Sequence, residues 1–497
     1  MIRRPRRLFA ADTTAMGTPP SGTSETMGTM AASTVISHED ALALGKKVFA
    51  MSRCNAGTLT IGHQVQMVVR LANGQVLLNN DGESRGIGII AYMGGKSPVF
   101  VGLDQLDDAS LRRMTAKLDA LAALQPGKLE SFGVVEEGPL PIPETQLWYD
   151  ATASALTTAR EDTLAHMLEP VRAAKLIGAG VLAITAYAKL TLLKSGLAAY
   201  HRETDAQCMV RARGLDGRSS GWAGTASRNW TNINPGAVAQ RAVEIATLSA
   251  APVAFEPGRR TAVLGPAAVA QLLRAAGSFF DRDIAEGGGT PLSDAKKGTK
   301  LGTRIFDPRL SLSVDLNEPD GSAMPYIGGP YDRNSDQPAY PLTSTTYVKD
   351  GILVDLPYGT MLGAVHGIPY NRPFATGRLA VSPGTPTMTI DEMISQCQEG
   401  IYVNQFSHVS VVDGASGQLT GVTRDGCFLI KHGKIAKAVK NFRILESPFF
   451  IFNKVEAIGV SERVCLEAEI ATSPSFPLIV PPIMVRDFNF SALVDAV

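Results

Sequence analysis

The chain is 497 residues long, more than one ordinary core can hold, so it is expected to divide into two or three domains. Forty-seven basic residues balance forty-seven acidic ones, which excludes a global field that would draw in nucleic acid or an anionic membrane. The 45% hydrophobic and 19% charged content is that of a globular soluble chain.

The five cysteines, Cys54, Cys208, Cys397, Cys427 and Cys465, are far apart and form no CxxC pair. That spacing argues against a disulfide scaffold or a zinc ribbon and points to a reducing cytoplasm. The most apolar stretch, Leu176 to Ala188, is 13 residues long between Lys175 and Lys189. A membrane span needs about 20.

In chain order, residues 1–33 are basic and then rich in Ser, Thr, Gly and Pro, without the apolar segment of a targeting signal. They read as a disordered tail or as an over-extended start upstream of Met27 or Met30. HEDALALGKKVFAMSR predicts a helix with Ser37 as N-cap and Glu39 and Asp40 at its positive end. The β-rich runs from Thr58 onward are punctuated by Asn-Gly, Asp-Gly and Gly-Gly, taken as hairpin signals. LDDASLRRMTAKLDALAAL is a second helix, and the Pro/Gly-rich segment 128–143 reads as a linker.

A helix over residues 158–176, strand runs over VLAITAYAKLTLL, LAAYHRETDAQCMVRARGL and SGWAGTASRN, and a helix from Ala237 to Ala250 follow. From about Gly258 a strand (TAVLG) leads into a helix (PAAVAQLLRAAGSFF), and short β runs dominate thereafter. The expected fold is α+β: a 34–145 α/β segment, a 146–256 α/β segment, and a 257–497 mainly antiparallel β domain.

Several of these runs resemble one family in order. TAVLGPAAVAQLLRAAGSFFDRD, KLGTRIFDPRLSL, TSTTYVKDGILVDLPYGTMLGAVHGIPYNRP, QLTGVTRDGCFLIKHGKIAKAVKNFRIL and PPIMVRDFNF are similar to blocks of the TldD/PmbA metallopeptidase-like family. In its active members LGP is followed by a helix carrying HExxxH, whose histidines bind zinc while the glutamate serves as base toward the metal-bound water. Residues five apart lie about 140° apart on an ideal helix, so the resemblance implies that this helix distorts within the motif.

Counting from LGP without a gap, the two histidine positions fall at Arg274 and Phe279 and the glutamate at Ala275. A guanidinium, a methyl and a phenyl ring supply neither lone pair nor base. The resemblance therefore implies a TldE/PmbA-like member without HExxxH: a non-catalytic subunit that pairs with a TldD-like HExxxH peptidase to process unfolded or modified peptides. It holds no cofactor itself, and the zinc lies in the partner. Active members use a C-terminal cysteine as third ligand, and Cys465 lies in the corresponding region, although it also fits a buried apolar role.

Other chemistry is sparse. His201, Glu203 and Asp205 share one face of a strand by period two. That face could hold a metal in a self-sufficient hydrolase with a relocated site, but it is read as the solvated polar side of a half-buried strand. His366, His408 and His432 stand alone, and Glu286 to Thr290 lacks the lysine of a phosphate loop. Arg372, in an Asn-Arg-Pro turn, is a candidate for a substrate carboxylate. Walker A and strand-linked GxGxxG patterns are missing from the sequence.

Overall fold

The computed structural model describes residues 35–93, 99–125, 145–159, 161–196, 198–318, 325–327, 340–358, 377–466 and 478–494. The sequence expectations for residues 1–33, the 128–143 linker, His366 and Arg372 lie outside the described residues.

Strand periodicity builds the first layer. Strands β1 (Ala56–Ala72), β2 (Gln75–Tyr92), β3 (Val99–Leu103), β4 (Ile177–Leu193), β5 (Ala198–Arg213) and β6 (Ser220–Ser227) form a six-stranded sheet ordered β3-β2-β1-β4-β5-β6. Every junction is antiparallel. β1 pairs with β4 from Thr58–Leu193 to Leu71–Gly180, so segments 34–145 and 146–256 contribute to one sheet.

Along β4 the residues Leu182, Ile184, Ala186, Ala188, Leu190 and Leu192 alternate with Thr185, Tyr187, Lys189 and Thr191. The apolar set is buried under helices α1 (His38–Met51), α2 (Asp108–Leu124), α3 (Asp150–Thr158), α4 (Glu161–Ala173) and α5 (Pro235–Leu248). Leu190 is fully buried there, a contribution of about 1.5–3 kcal/mol.

The helix starts obey capping chemistry. Ser37 Oγ accepts from the Asp40 N–H at 3.0 Å, as expected, and Asp107 and Asn234 cap α2 and α5 in the same way. The helix expected over 158–176 is α4, while α3 is an additional helix with Thr152, Ala155 and Leu156 buried. Where α5 crosses β6 only glycine fits, because a Cβ on Gly221 would lie 2.2 Å from the Ala242 carbonyl oxygen.

One hairpin signal is corrected. Asn73 and Gly74 form the β1–β2 turn with φ of 51° and 72°, but Asp81 and Gly82 sit inside β2 opposite Met67 and Gln66. A tight hairpin needs both central residues at positive φ, and the Asp81–Gly82 pair instead keeps the β2 ladder. Beyond β3, which reaches only Ile87 to Ala91, the outer edge of β2 is exposed. A bulge opposite Arg70/Leu71 and the charges of Asp81, Glu83 and Arg85 blunt that edge.

The rest of the chain is β-rich, so the fold is α+β as the sequence predicts. Strand β7 (Gly258–Leu264) enters a seven-stranded sheet between Glu399–Asp413, parallel to it, and Ile483–Leu493, antiparallel. A second, six-stranded sheet includes Leu310–Val314, Gly377–Val381, Leu478–Val480 and Glu462–Val464. Helix α6 (Pro266–Ala276) and buried aromatic residues such as Phe280, Phe306, Phe406, Phe442 and Phe488 fill this core. Among the described residues no helix is long and apolar enough to cross a membrane.

Candidate functional site

The segment that carries the motif positions folds as strand, Gly-Pro, helix. Gly265 is the N-cap, and a Cβ there would come within 3.1 Å of the Asn404 carbonyl oxygen. Pro266 follows at the first helical position, where its missing N–H costs nothing. Arg274 and Ala275, both half-buried, lie in the last turn of α6, where a cation meets the negative end of the helix dipole.

At Gly277 the α-helix gives way to a 3-10 turn, Gly277–Phe279. The five-residue step from Arg274 to Phe279 therefore spans a change of helix type. Phe279 is buried and packs on Phe449 with ring centroids 5.8 Å apart. An arginine, an alanine and a core phenylalanine have no donor set for zinc, and the family's metal does not fit these positions. Among the described residues no group of three or more His, Cys, Asp and Glu is arranged to hold a metal ion.

Strand Glu462–Val464 packs against α6, so the tertiary structure brings the Cys465 segment beside the motif helix. Cys465 itself is fully buried with Val68, Val181, Ala183 and Ala226, its Sγ 3.9 Å from the Leu466 carbonyl oxygen. Those four apolar neighbours belong to β1, β4 and β6, on the sheet face turned away from the helices.

That face is polar and, contrary to the sequence expectation, buried. His201, Glu203 and Asp205 do share it, but each is 5% exposed or less. Glu203 Oε2 lies 3.3 Å from His201 Nε2 and 3.3 Å from Arg228 Nη1. Arg228 Nη1 also stands 3.8 Å from Asp205 Oδ1, and Gln207 donates to Asp205 Oδ2 at 2.6 Å. Arg228 is itself buried at the end of β6, and the Thr152 and Thr204 hydroxyls donate to its carbonyl oxygen.

Lys189, the cross-strand partner of His201, lies 5.8 Å from the centre of the Tyr326 ring. The Tyr326 hydroxyl points at the Lys189 and Ala199 carbonyl oxygens, 3.2 and 3.3 Å away, and burial pushes its pKa far up. A cation sits where a metal would need to be, so the H-x-E-x-D face is a buried ion-pair network. Period two found its alignment. Arg228, which neutralises it, gave no signal because it lies on a different strand end.

His408 and His432 are exposed, on left-handed backbone with φ of 52° and 49°. Neither joins this region.

The fold is a helix-backed antiparallel sheet whose polar face meets a β-rich unit opened by strand, Gly-Pro and helix. Residues 257–492 match the family model described as the PmbA/TldA metallopeptidase C-terminal domain. Over residues 257–492 the chain therefore carries the C-terminal domain of the TldD/PmbA metallopeptidase-like family.

Solved structures share the fold. A candidate modulator of DNA gyrase from Thermotoga maritima is 17% identical with a TM-score of 0.72, over 90% of this chain and 99% of its own. A second candidate modulator of DNA gyrase, from Bacteroides thetaiotaomicron, is 16% identical with a TM-score of 0.71, over 92% and 100%. TldE from Thermococcus kodakarensis is 14% identical with a TM-score of 0.72, over 91% and 99%. No curated protein matches the chain in sequence.

Proposed function

We propose that this chain is the non-catalytic, TldE/PmbA-like subunit of a cytoplasmic heterodimer. Its partner is a TldD-like HExxxH zinc peptidase, and the pair processes unfolded or modified peptides, including natural-product precursors. The observation that carries the reading is the identity of the motif positions: Arg274, Ala275 and Phe279 on α6 and its 3-10 turn. Losing one ligand can be rescued by a neighbour, but here both ligands and the base are replaced. The zinc that polarises the peptide carbonyl and supplies hydroxide belongs to the partner.

This chain's part is to bind and to shape. A peptide held in extended form through its backbone is recognised with little regard to sequence. The buried network of His201, Glu203, Asp205 and Arg228 supports the non-catalytic reading, because its carboxylates face a guanidinium in place of a metal.

The test is reconstitution with an HExxxH homologue encoded beside this chain. Cleavage of an unfolded polypeptide by the mixture, with none by this chain alone, is the expected result. Cleavage by this chain alone with about one zinc per chain, both lost in His201→Ala, would establish instead a self-sufficient hydrolase with a relocated site. A homo-oligomer that binds peptide and leaves the homologue's activity unchanged would make it a stand-alone binding protein.

A further inference from the structure

A pocket of about 370 Å³ lies between α5 and the short helix Ile390–Gln396, on the β-rich side of the molecule. That volume is at the small end of the range for ligand sites and suits a large apolar side chain. Its floor is Ile245, Ile394, Tyr402 and Phe428, all buried members of one apolar cluster. The rings of Tyr402 and Phe428 are stacked there, with centroids 5.9 Å apart and planes 24° apart. At its lip Leu248 and Val460 are 53% and 61% exposed, apolar surface continuous with the floor.

The rim is acidic. Glu244, Asp391 and Glu462 line the pocket, against the single cation Arg241. Asp391 takes no part in the capping box that Thr389 and Glu392 close at the N-terminus of its helix. Arg241, Glu462 and Asp391 all lie close enough to the Tyr402 hydroxyl for their charges to act on it.

We infer that this pocket binds a short basic peptide segment that carries an apolar anchor. The anchor leaves water for the aromatic floor, and the flanking Lys or Arg meets the carboxylates at the rim. Charge complementarity selects this occupant over the alternatives: an acidic segment would bring like charges to the rim, and a neutral one would leave it unused. An aromatic floor also favours a nearby cation through the ring quadrupole. Glu462 lies on the strand that packs against α6, but the proposal does not rest on the pairing proposed above.

The test uses the full chain and three fluorescein-labelled peptide amides, Lys-Leu-Phe-Lys, Ser-Leu-Phe-Ser and Glu-Leu-Phe-Glu, followed by anisotropy. The basic peptide should bind saturably, and raising the salt should weaken it. The double variant Asp391→Asn, Glu462→Gln should lose about tenfold in affinity, the size of two modest ion pairs. Both side chains are at the surface, so its thermal unfolding should match the parent's. Trimming the lip with Leu248→Ser should lower the affinity for the basic peptide as well. Equal binding of the three peptides, full affinity in the folded double variant, or no binding at about 1 mM peptide would overturn the proposal.

Discussion

Arg211 on β5 grips Asp425 on the strand Gln418–Lys431, with Nη2 2.9 Å and Nε 3.2 Å from Oδ2. The bond ties the helix-backed sheet to the β-rich sheet, and Gln405 donates to the same oxygen at 2.7 Å. Asp425 is buried and holds φ at 50°, next to Gly426 at 122°, so local strain is accepted to aim this carboxylate. Arg211→Met should destabilise the fold by about 1.5–3 kcal/mol, because it removes the nearer of two guanidinium groups from a buried carboxylate and leaves Arg424 Nε at 3.8 Å. Urea unfolding measures it. A loss within the scatter of surface substitutions would show that the grip is incidental.

The network on the other end of β5 makes a parallel prediction. Arg228→Met removes the guanidinium facing Glu203 and Asp205 and should cost about 3–5 kcal/mol. Adding Glu203→Gln and Asp205→Asn to that variant should recover part of the loss, since neutral amides leave no uncompensated charge. Without recovery in the triple variant, packing around Arg228 would be the larger effect.

His63 makes the acid limb of stability testable. Its Nδ1 accepts from the Ile36 N–H at 2.7 Å, and Glu83 lies 3.1 Å from Nε2. Burial first and the Arg85 charge second lower its pKa below the ordinary 6.5, against the raising effect of Glu83. The unfolded chain then binds the proton more tightly, so this contribution is present above about pH 6.5 and is lost as pH falls through the folded pKa. Denaturation at stepped pH should show stability falling on acidification, with a shallower slope in His63→Gln. An unchanged slope would assign the acid limb to other groups.

Rebuilding the motif tests the reading of α6. Arg274→His, Ala275→Glu and Phe279→His together restore HExxxH across the α to 3-10 transition. The folded triple variant should take up more zinc than the parent by elemental analysis. Phe279 packs on Phe449, so the change should also cost about 3 kcal/mol. Peptidase activity is not expected to return, because supporting partners typically matter by about 10–100-fold. A folded triple variant with parental zinc would mean that α6 no longer presents a metal-binding geometry.

The sequence by itself determined the local order of this protein. Ser37 announced the first helix, period two placed His201, Glu203 and Asp205 on one face of β5, and LGP fixed where α6 begins. It also gave the identity of the three motif positions, because ligand chemistry is a property of side chains and needs no coordinates.

Tertiary structure alone decided burial and partnership. The face of His201, Glu203 and Asp205 has the alternation of a solvated strand, yet it is covered, and Arg228 reaches it from a strand end more than twenty residues away. Asp425 and Arg211 are 214 residues apart. No local pattern announces such pairs, because period and capping record what a residue does to its own backbone, whereas charge pairing depends on which segments the packed core brings together.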